Sequence, residues 1–303
     1  MASAPVGLFA GLATLDVVYR VPRPPGPDEK VQALRQDLAA GGPAANAAVA
    51  FAALGGRPVL LTALGSHPLA QLVADELAGR GVRVLDATPD RTEPPAVSSV
   101  VVTEQTAQRS VVSMRGLGVT IPGVPALPAT DVVLVDGHHP DLAVAAAEHG
   151  SAAGAPVLLD AGSWKDVLPK VLPHTDIAAC SAVFRTPTTG SEQPDAVARD
   201  LLAHAGTVLI TRGAEPVLWW QGGRRGEVPA ERVTAVDTLA AGDVFHGALA
   251  FAAARTPAHA DPGALQRAIA FANRVAALRC RTAGPRAWLD DAELAELADR
   301  GPA

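Results

Sequence analysis

Lysine is scarce in this chain: Lys30, Lys165 and Lys170 are the only ones, and 25 basic side chains face 31 acidic ones for a net charge of −6. No basic stripe of the kind that tracks a nucleic-acid backbone or an anionic lipid surface can be built from them, so neither partner is expected. Cysteine is nearly absent as well. Cys180 and Cys280 have no companions at metal-ligand spacing, and one disulfide is a poor staple for 303 residues, which predicts reduced thiols and a cytoplasmic location. No apolar run reaches the roughly 18 residues of a membrane span. The opening Met-Ala-Ser-Ala-Pro has no basic flank, so no signal peptide is expected. Aromatic residues are 4% of the chain, leaving little for stacking on a nucleobase. Also missing are the G-x-x-x-x-G-K-[ST] run of a P-loop and a G-x-G-x-x-G before the first helix, so any phosphate must be held by another device.

What is present is a large apolar fraction, 49%, in short runs rich in Val, Leu and Ile at 6–10, 58–64, 131–135, 156–160 and 207–211. Several end in Gly, Asp or Thr and lead into Ala-rich helical stretches, the alternation of βαβ units around a mostly parallel sheet. In such a sheet ligands gather at the carboxyl ends of the strands. Two segments break the rhythm, at about 14–37 and 97–121, one rich in proline and the other in valine. They read as extended strands outside the main sheet, a flap or lid. No linker demands a second independently folding unit, so residues 1–303 are expected to form one domain.

Two glycine-rich segments carry the candidate chemistry. Gly41-Gly42-Pro43-Ala44-Ala45-Asn46 opens a helical stretch at 46–54. Paired glycines let backbone approach a ligand, and the Asn46 amide can read sugar hydroxyls. The plainer alternative is a tight turn with Asn46 as helix N-cap. Asp237-Thr238-Leu239-Ala240-Ala241-Gly242-Asp243 follows a strand-like 233–236 and precedes a helical 244–254. Its small residues can present consecutive N–H groups at a helix start, an anion cradle suited to a transferring phosphoryl group. Asp243 stands beside it, placed to take a proton from an incoming hydroxyl or, more simply, to complement the helix dipole.

Taken together, the two motifs resemble the ribokinase (PfkB-type) family of carbohydrate and nucleoside kinases. The order fits throughout: Asp16 after the first strand, the Gly-Gly…Asn helix, Thr211-Arg212-Gly213 after a late strand, the Asp-Thr-x-Ala-Ala-Gly-Asp signature, and Phe271-Ala272-Asn273 taken as the opening of a late helix. The resemblance implies a doubly wound α/β fold with a small β-sheet lid, and ATP-dependent phosphorylation of a sugar hydroxymethyl group. It implies Asp243 as general base, with Ala240, Ala241 and Gly242 as anion hole. Asp16, Gly41, Gly42 and Asn46 would hold the sugar, and Thr211, Gly213 and Asn273 the nucleotide. Mg²⁺ would accompany ATP, and two copies would pair through their lids. A nucleoside kinase of the same family and a silent sugar-binding regulator are the alternatives.

The chain also departs from the family pattern. Where many members place Asn-x-x-Glu for Mg²⁺, this sequence reads Cys180-Ser181-Ala182-Val183, which leaves Asp160, through water, as a candidate for the metal. Asp237 and Gly284 stand where potassium-activated members hold their cation, but Trp288 replaces the expected hydroxyl, so dependence on a monovalent cation is doubtful. Lys30, together with the sequences around Gly42 and Asp243, is similar to the sulfofructose kinase branch, in which a lysine can pair with a sulfonate or phosphate. The Arg of that branch is replaced by Gly137-His138-His139, which puts His138 forward as a substrate contact, with Arg115 as a second contact from the lid.

Overall fold

The computed structural model describes residues 3–116, 118–256 and 261–302. Leu117, inside the second lid segment, lies outside the described residues. The strands are β1 (Val6–Ala10), β2 (Thr14–Val21), β3 (Arg35–Gly41), β4 (Arg57–Thr62), β5 (Arg83–Asp86), β6 (Val97–Thr103), β7 (Arg109–Ser113), β8 (Val132–Val135), β9 (Val157–Ala161), β10 (Ile177–Ser181), β11 (Thr207–Arg212), β12 (Glu215–Gln221) and β13 (Arg224–Val228). The helices are α1 (Pro43–Ala53), α2 (Pro68–Gly79), α3 (Pro140–Ala153), α4 (Leu168–Val171), α5 (Pro194–Leu201), α6 (Ala241–Arg255), α7 (Pro262–Arg281) and α8 (Ala292–Arg300).

Nine strands form the large sheet in the order β13-β12-β11-β10-β9-β8-β1-β4-β5. All neighbours from β11 to β5 are parallel, and only the two pairings at the other end, β11–β12 and β12–β13, are antiparallel. Parallel strands buried on both faces read as continuous apolar runs, which is why β8 is Val-Val-Leu-Val and wholly buried. The chain winds outward from β1 through β4 to β5, then returns to the other side of β1 with β8. That reversal opens a crevice at the carboxyl ends of β1 and β8. The two irregular segments form a separate four-stranded sheet, β3-β2-β6-β7, as the lid reading expects.

Alanine sets the spacing of the helices over the large sheet. In α1, Ala44, Ala45, Ala47, Ala48 and Ala50 are fully buried, and a Cβ added at Gly247 of α6 would lie 2.2 Å from the Ala47 carbonyl oxygen. The two helices therefore touch at backbone depth. Phe51 locks the seam edge-to-face between Phe9 of β1, at 5.2 Å, and Phe251 of α6, at 5.6 Å. Each such pair is worth about 1 kcal/mol beyond its buried area.

Three local expectations need correction. Residues 233–236 do not form a strand. Val236 N donates to the Cys280 carbonyl at 2.8 Å, so this stretch lies along α7 with no sheet to join. Phe271 to Asn273 lie in the middle of α7, which starts at Pro262 because Asp261 caps its first amides. Helix α1 begins at Pro43 rather than Asn46: proline suits the first helical position, and Gly42 is the N-cap. No helix among the described residues is long and apolar enough to cross a membrane.

Candidate active site

The close α1–α6 seam brings the two glycine-rich motifs together. Asn46 Nδ2 donates to Asp243 Oδ2 at 2.8 Å. Its orientation is fixed from the far side, where Arg286 Nη1 donates to Asn46 Oδ1 at 3.0 Å. With its oxygen engaged by a guanidinium, the amide must aim N–H at the carboxylate. Arg286 is itself held by Glu76 of α2 at 2.9 Å and by the Ala40 carbonyl at 2.6 Å. Asn46 is thus a helix-interior residue that orients the candidate base, not an N-cap.

Asp243 is half-buried in the first turn of α6, and its pKa is pushed up to about 7. Burial is the main cause, and the Asp160 carboxylate adds to it against the opposing bond from Asn46. Asp160 ends β9, and its Oδ2 is 2.9 Å from Nδ1 of His246, one turn beyond Asp243. Burial works against charge on both partners, yet their attraction wins: His246 is raised above its ordinary pKa and Asp160 lowered below its own. Asp160 is therefore engaged by an imidazole through Oδ2 and is 6% exposed.

Ala240 caps α6 in the left-handed conformation, φ 61°, which costs an alanine about 1 kcal/mol. That turn aims the helix start outward. The Ala241 N–H reaches the Thr238 carbonyl at 3.3 Å, so the part of the cradle open to a ligand is the exposed Gly242, where an added Cβ would meet empty space. A cleft of about 680 Å³ opens between this loop and the lid hairpin, lined by Thr106, Arg109, Ser110, Ala235 and Thr238. Arg109 Nη1 bridges it, 3.1 Å from Thr238 Oγ1.

At the sheet reversal, Asp136 organises the backbone. Its Oδ2 accepts from Leu12 N at 2.9 Å and Ala44 N at 3.2 Å, and its Oδ1 accepts from His138 N at 2.9 Å. Two glycines make room for carboxylates: an added Cβ would lie 2.1 Å from the Asp136 side chain at Gly11 and 2.1 Å from that of Asp16 at Gly41. Asp16 accepts from Thr14 Oγ1 at 2.6 Å, and burial raises its pKa. Gly42, at φ 96°, could not be replaced without a Cβ 2.2 Å from the Leu12 carbonyl oxygen.

His138 is half-buried beyond β8, with its pKa lowered by burial, and His139 takes the N-cap position of α3 without a side-chain cap bond. Arg115 is exposed in a left-handed turn whose next residue, Gly116, packs on His139, an added Cβ there lying 3.0 Å from Cε1. The lid thus meets the sheet at the expected histidines. Lys30 is exposed in the turn between β2 and β3, with no hydrogen bond or ion pair among the described residues. The lysine that does reach this end of the sheet is Lys165, packed 3.2 Å from where a Gly137 Cβ would stand.

The expected nucleotide residues lie farther along the sheet. Thr211 ends β11 and donates to the Cys180 carbonyl at 3.2 Å, while Gly213 makes the left-handed turn into β12. Asn273 is buried, its Nδ2 donating to the Pro229 carbonyl at 2.9 Å. Asp237 is also fully committed, to Arg20, Arg279, Leu239 and Gly284. Among the described residues no three carboxylates, histidines and cysteines gather into a metal cage, and Mg²⁺, which takes one or two carboxylates with water and substrate phosphates, does not require one. The two cysteines are free, as expected.

A carboxylate tuned to neutrality beside an open helix start, at the strand ends of a doubly wound sheet with a lid, defines a phosphotransferase with an alcohol acceptor. Residues 8–292 match the model of the pfkB family carbohydrate kinases, and the chain belongs to that family. It is 25% identical to a ribokinase of Bacillus subtilis over 279 residues, 88% of this chain and 90% of that protein. Among solved structures it is similar to a ribokinase of Thermotoga maritima, with a TM-score of 0.78 at 20% identity over 99% of this chain and all of that one. It is also similar to an Arabidopsis thaliana ribokinase complexed with ribose and ATP, with a TM-score of 0.74 at 23% identity over 98% and 99% of the two chains. The ribokinase-like fold, with its large mostly parallel sheet and second small sheet, is thereby established.

Proposed function

We propose that this chain transfers the γ-phosphate of ATP to the hydroxymethyl group of a monosaccharide or sugar derivative, with Asp243 as the general base. The observation that carries this reading is the 2.8 Å bond between Asn46 and Asp243, which sets the carboxylate at the meeting point of the two glycine-rich turns. Asp16 and Asn46 sit on the lid and α1 sides of that point, where a sugar's hydroxyls would lie. The open turn at Gly242 lies on the other side, where its amide would face the transferring phosphoryl group. Mg²⁺ bound to ATP would neutralise phosphate charge, and the chain's own part is alignment and proton removal. Asp243 takes the hydroxyl proton as the oxygen attacks phosphorus, and a pKa near 7 suits that exchange at neutral pH.

Thr211, Gly213 and Asn273 remain the candidate wall of the nucleotide site, with residues 1–303 acting as one kinase unit. Exposed Leu34, Leu38, Val111, Val112 and Met114 on the lid strands and their ends support pairing of two copies through the lids, which sedimentation tests. The function is tested by ADP release over a panel of plain, 6-phosphorylated and 6-sulfonated ketoses, aldoses and nucleosides with Mg²⁺. Asp243→Asn should lower kcat on the accepted sugar by about 1,000-fold with little change in sugar binding. Turnover near the wild-type rate would refute the assignment. Thermal stabilisation by a sugar without ADP release would point to a silent binding protein.

A further inference from the structure

The loop that ends in the open turn of α6 begins at Asp237, whose carboxylate is buried with 2% of the side chain exposed. Oδ1 accepts from Leu239 N at 2.9 Å, and Oδ2 from Gly284 N at 3.1 Å. Two guanidinium nitrogens, Arg20 Nη2 and Arg279 Nη2, lie 3.3 Å from the same Oδ2. Arg279 comes from the last turn of α7 and is wholly buried, a rare condition for an arginine. Its Nη1 donates to the backbone carbonyls of Asp237, at 3.4 Å, and Thr282, at 3.2 Å. A carboxylate and two carbonyl oxygens turned to one point are the donor set of an alkali cation. Here a side-chain cation stands among them, so a free monovalent ion does not fit.

We propose that Arg279 is a tethered cation that does the work of a free monovalent ion, holding the 237–242 loop in the conformation that accepts phosphate. Arg279 touches neither substrate nor the reacting atoms; it is a positioning residue, and its role rests on the kinase reading above. Arg20 extends the arrangement to the lid: it belongs to β2 and also pairs with Glu104, beyond β6, at 2.8 Å. Two arginines and two carboxylates thus balance in charge, and the lid is tied to the loop that carries the cradle.

The test compares wild type, Arg279→Ala and Arg279→Lys in potassium, sodium or tetramethylammonium chloride at equal ionic strength, with and without millimolar guanidinium. Wild-type kcat should be the same in all three salts. Arg279→Ala should lose about 100-fold in kcat, the scale of a misplaced reacting geometry, with the KM for the sugar little changed. Guanidinium or potassium should restore about a tenth of that loss in a saturable way, and Arg279→Lys should fall between the two. Strong activation of wild type by potassium, or a defect in Arg279→Ala that no cation relieves, would overturn the proposal. Where the alanine variant does not fold, the wild-type salt series and the lysine variant decide. A wild type that phosphorylates nothing would sink the kinase reading alone, because the tethered cation is then read by melting. Guanidinium should raise the melting temperature of Arg279→Ala and not that of wild type, and no such difference would refute it.

Discussion

Helices α1 and α6 both start at small-residue turns in the same crevice, yet the two starts are finished differently. The α1 turn is closed. Asp136 accepts from the Ala44 amide, and the Leu12 carbonyl fills the space over Gly42. At α6 the corresponding space over Gly242 is empty and no described side chain caps the first amides; the carboxylate of that turn, Asp243, is bonded to Asn46 instead. A helix start attracts negative charge in either case. The difference is whether a carboxylate of the protein already accepts from the first amides, and on the proposed reading the start left uncapped is the one that faces the phosphoryl group.

That contrast can be broken from both ends. Gly242→Asp would put a second carboxylate into the α6 turn, at the amides that no side chain now caps. No steric clash is introduced, and kcat/KM should fall by about 100-fold while the melting temperature stays close to wild type. The converse change, Asp136→Ala, should cost about 3 kcal/mol in a denaturant titration, because three amides lose their acceptor together. Raising the pH sharpens the comparison at the base. In the proposed reaction Asp243 works as the carboxylate, and its pKa is raised, so kcat/KM should climb about tenfold per unit below pH 7 and level off above it. A profile already flat from pH 5 would show that burial does not tune this group. The smallest effect is expected from Arg286→Gln, which frees the Asn46 amide to rotate: about a tenfold loss in kcat with the fold intact.

The residues that carry chemistry were legible because they lie in short contiguous runs. The 237–243 signature and the Gly-Gly turn announce themselves by local composition, as did the alternation behind the parallel sheet, while Asp16 entered through the resemblance to the ribokinase family. Arg286 and Asp136 did not, since their roles arise from contacts 240 and 124 residues away that no spacing reveals. The valines of 233–236 suggested a strand because β-branched residues favour extended backbone; the stretch has no neighbouring strand to pair with and is tied instead to the end of α7 through Val236 and Cys280. The hairpin β12–β13 was not among the expected strands, its turn residues masking the Trp219-Trp220 run. Lys30 came forward from the resemblance to the sulfofructose kinase branch and lies exposed between β2 and β3, whereas the lysine packed against Gly137 at the strand ends is Lys165.

The contact at Gly247 has a bearing on how such an enzyme could change. Because the backbone of Ala47 leaves no room for even one methyl group at position 247, the registration of the base against its amide partner cannot drift by small substitutions along that seam. On the proposed reading, room for new preferences lies instead where residues hang from strand ends and turns, around 115, 138 and 165.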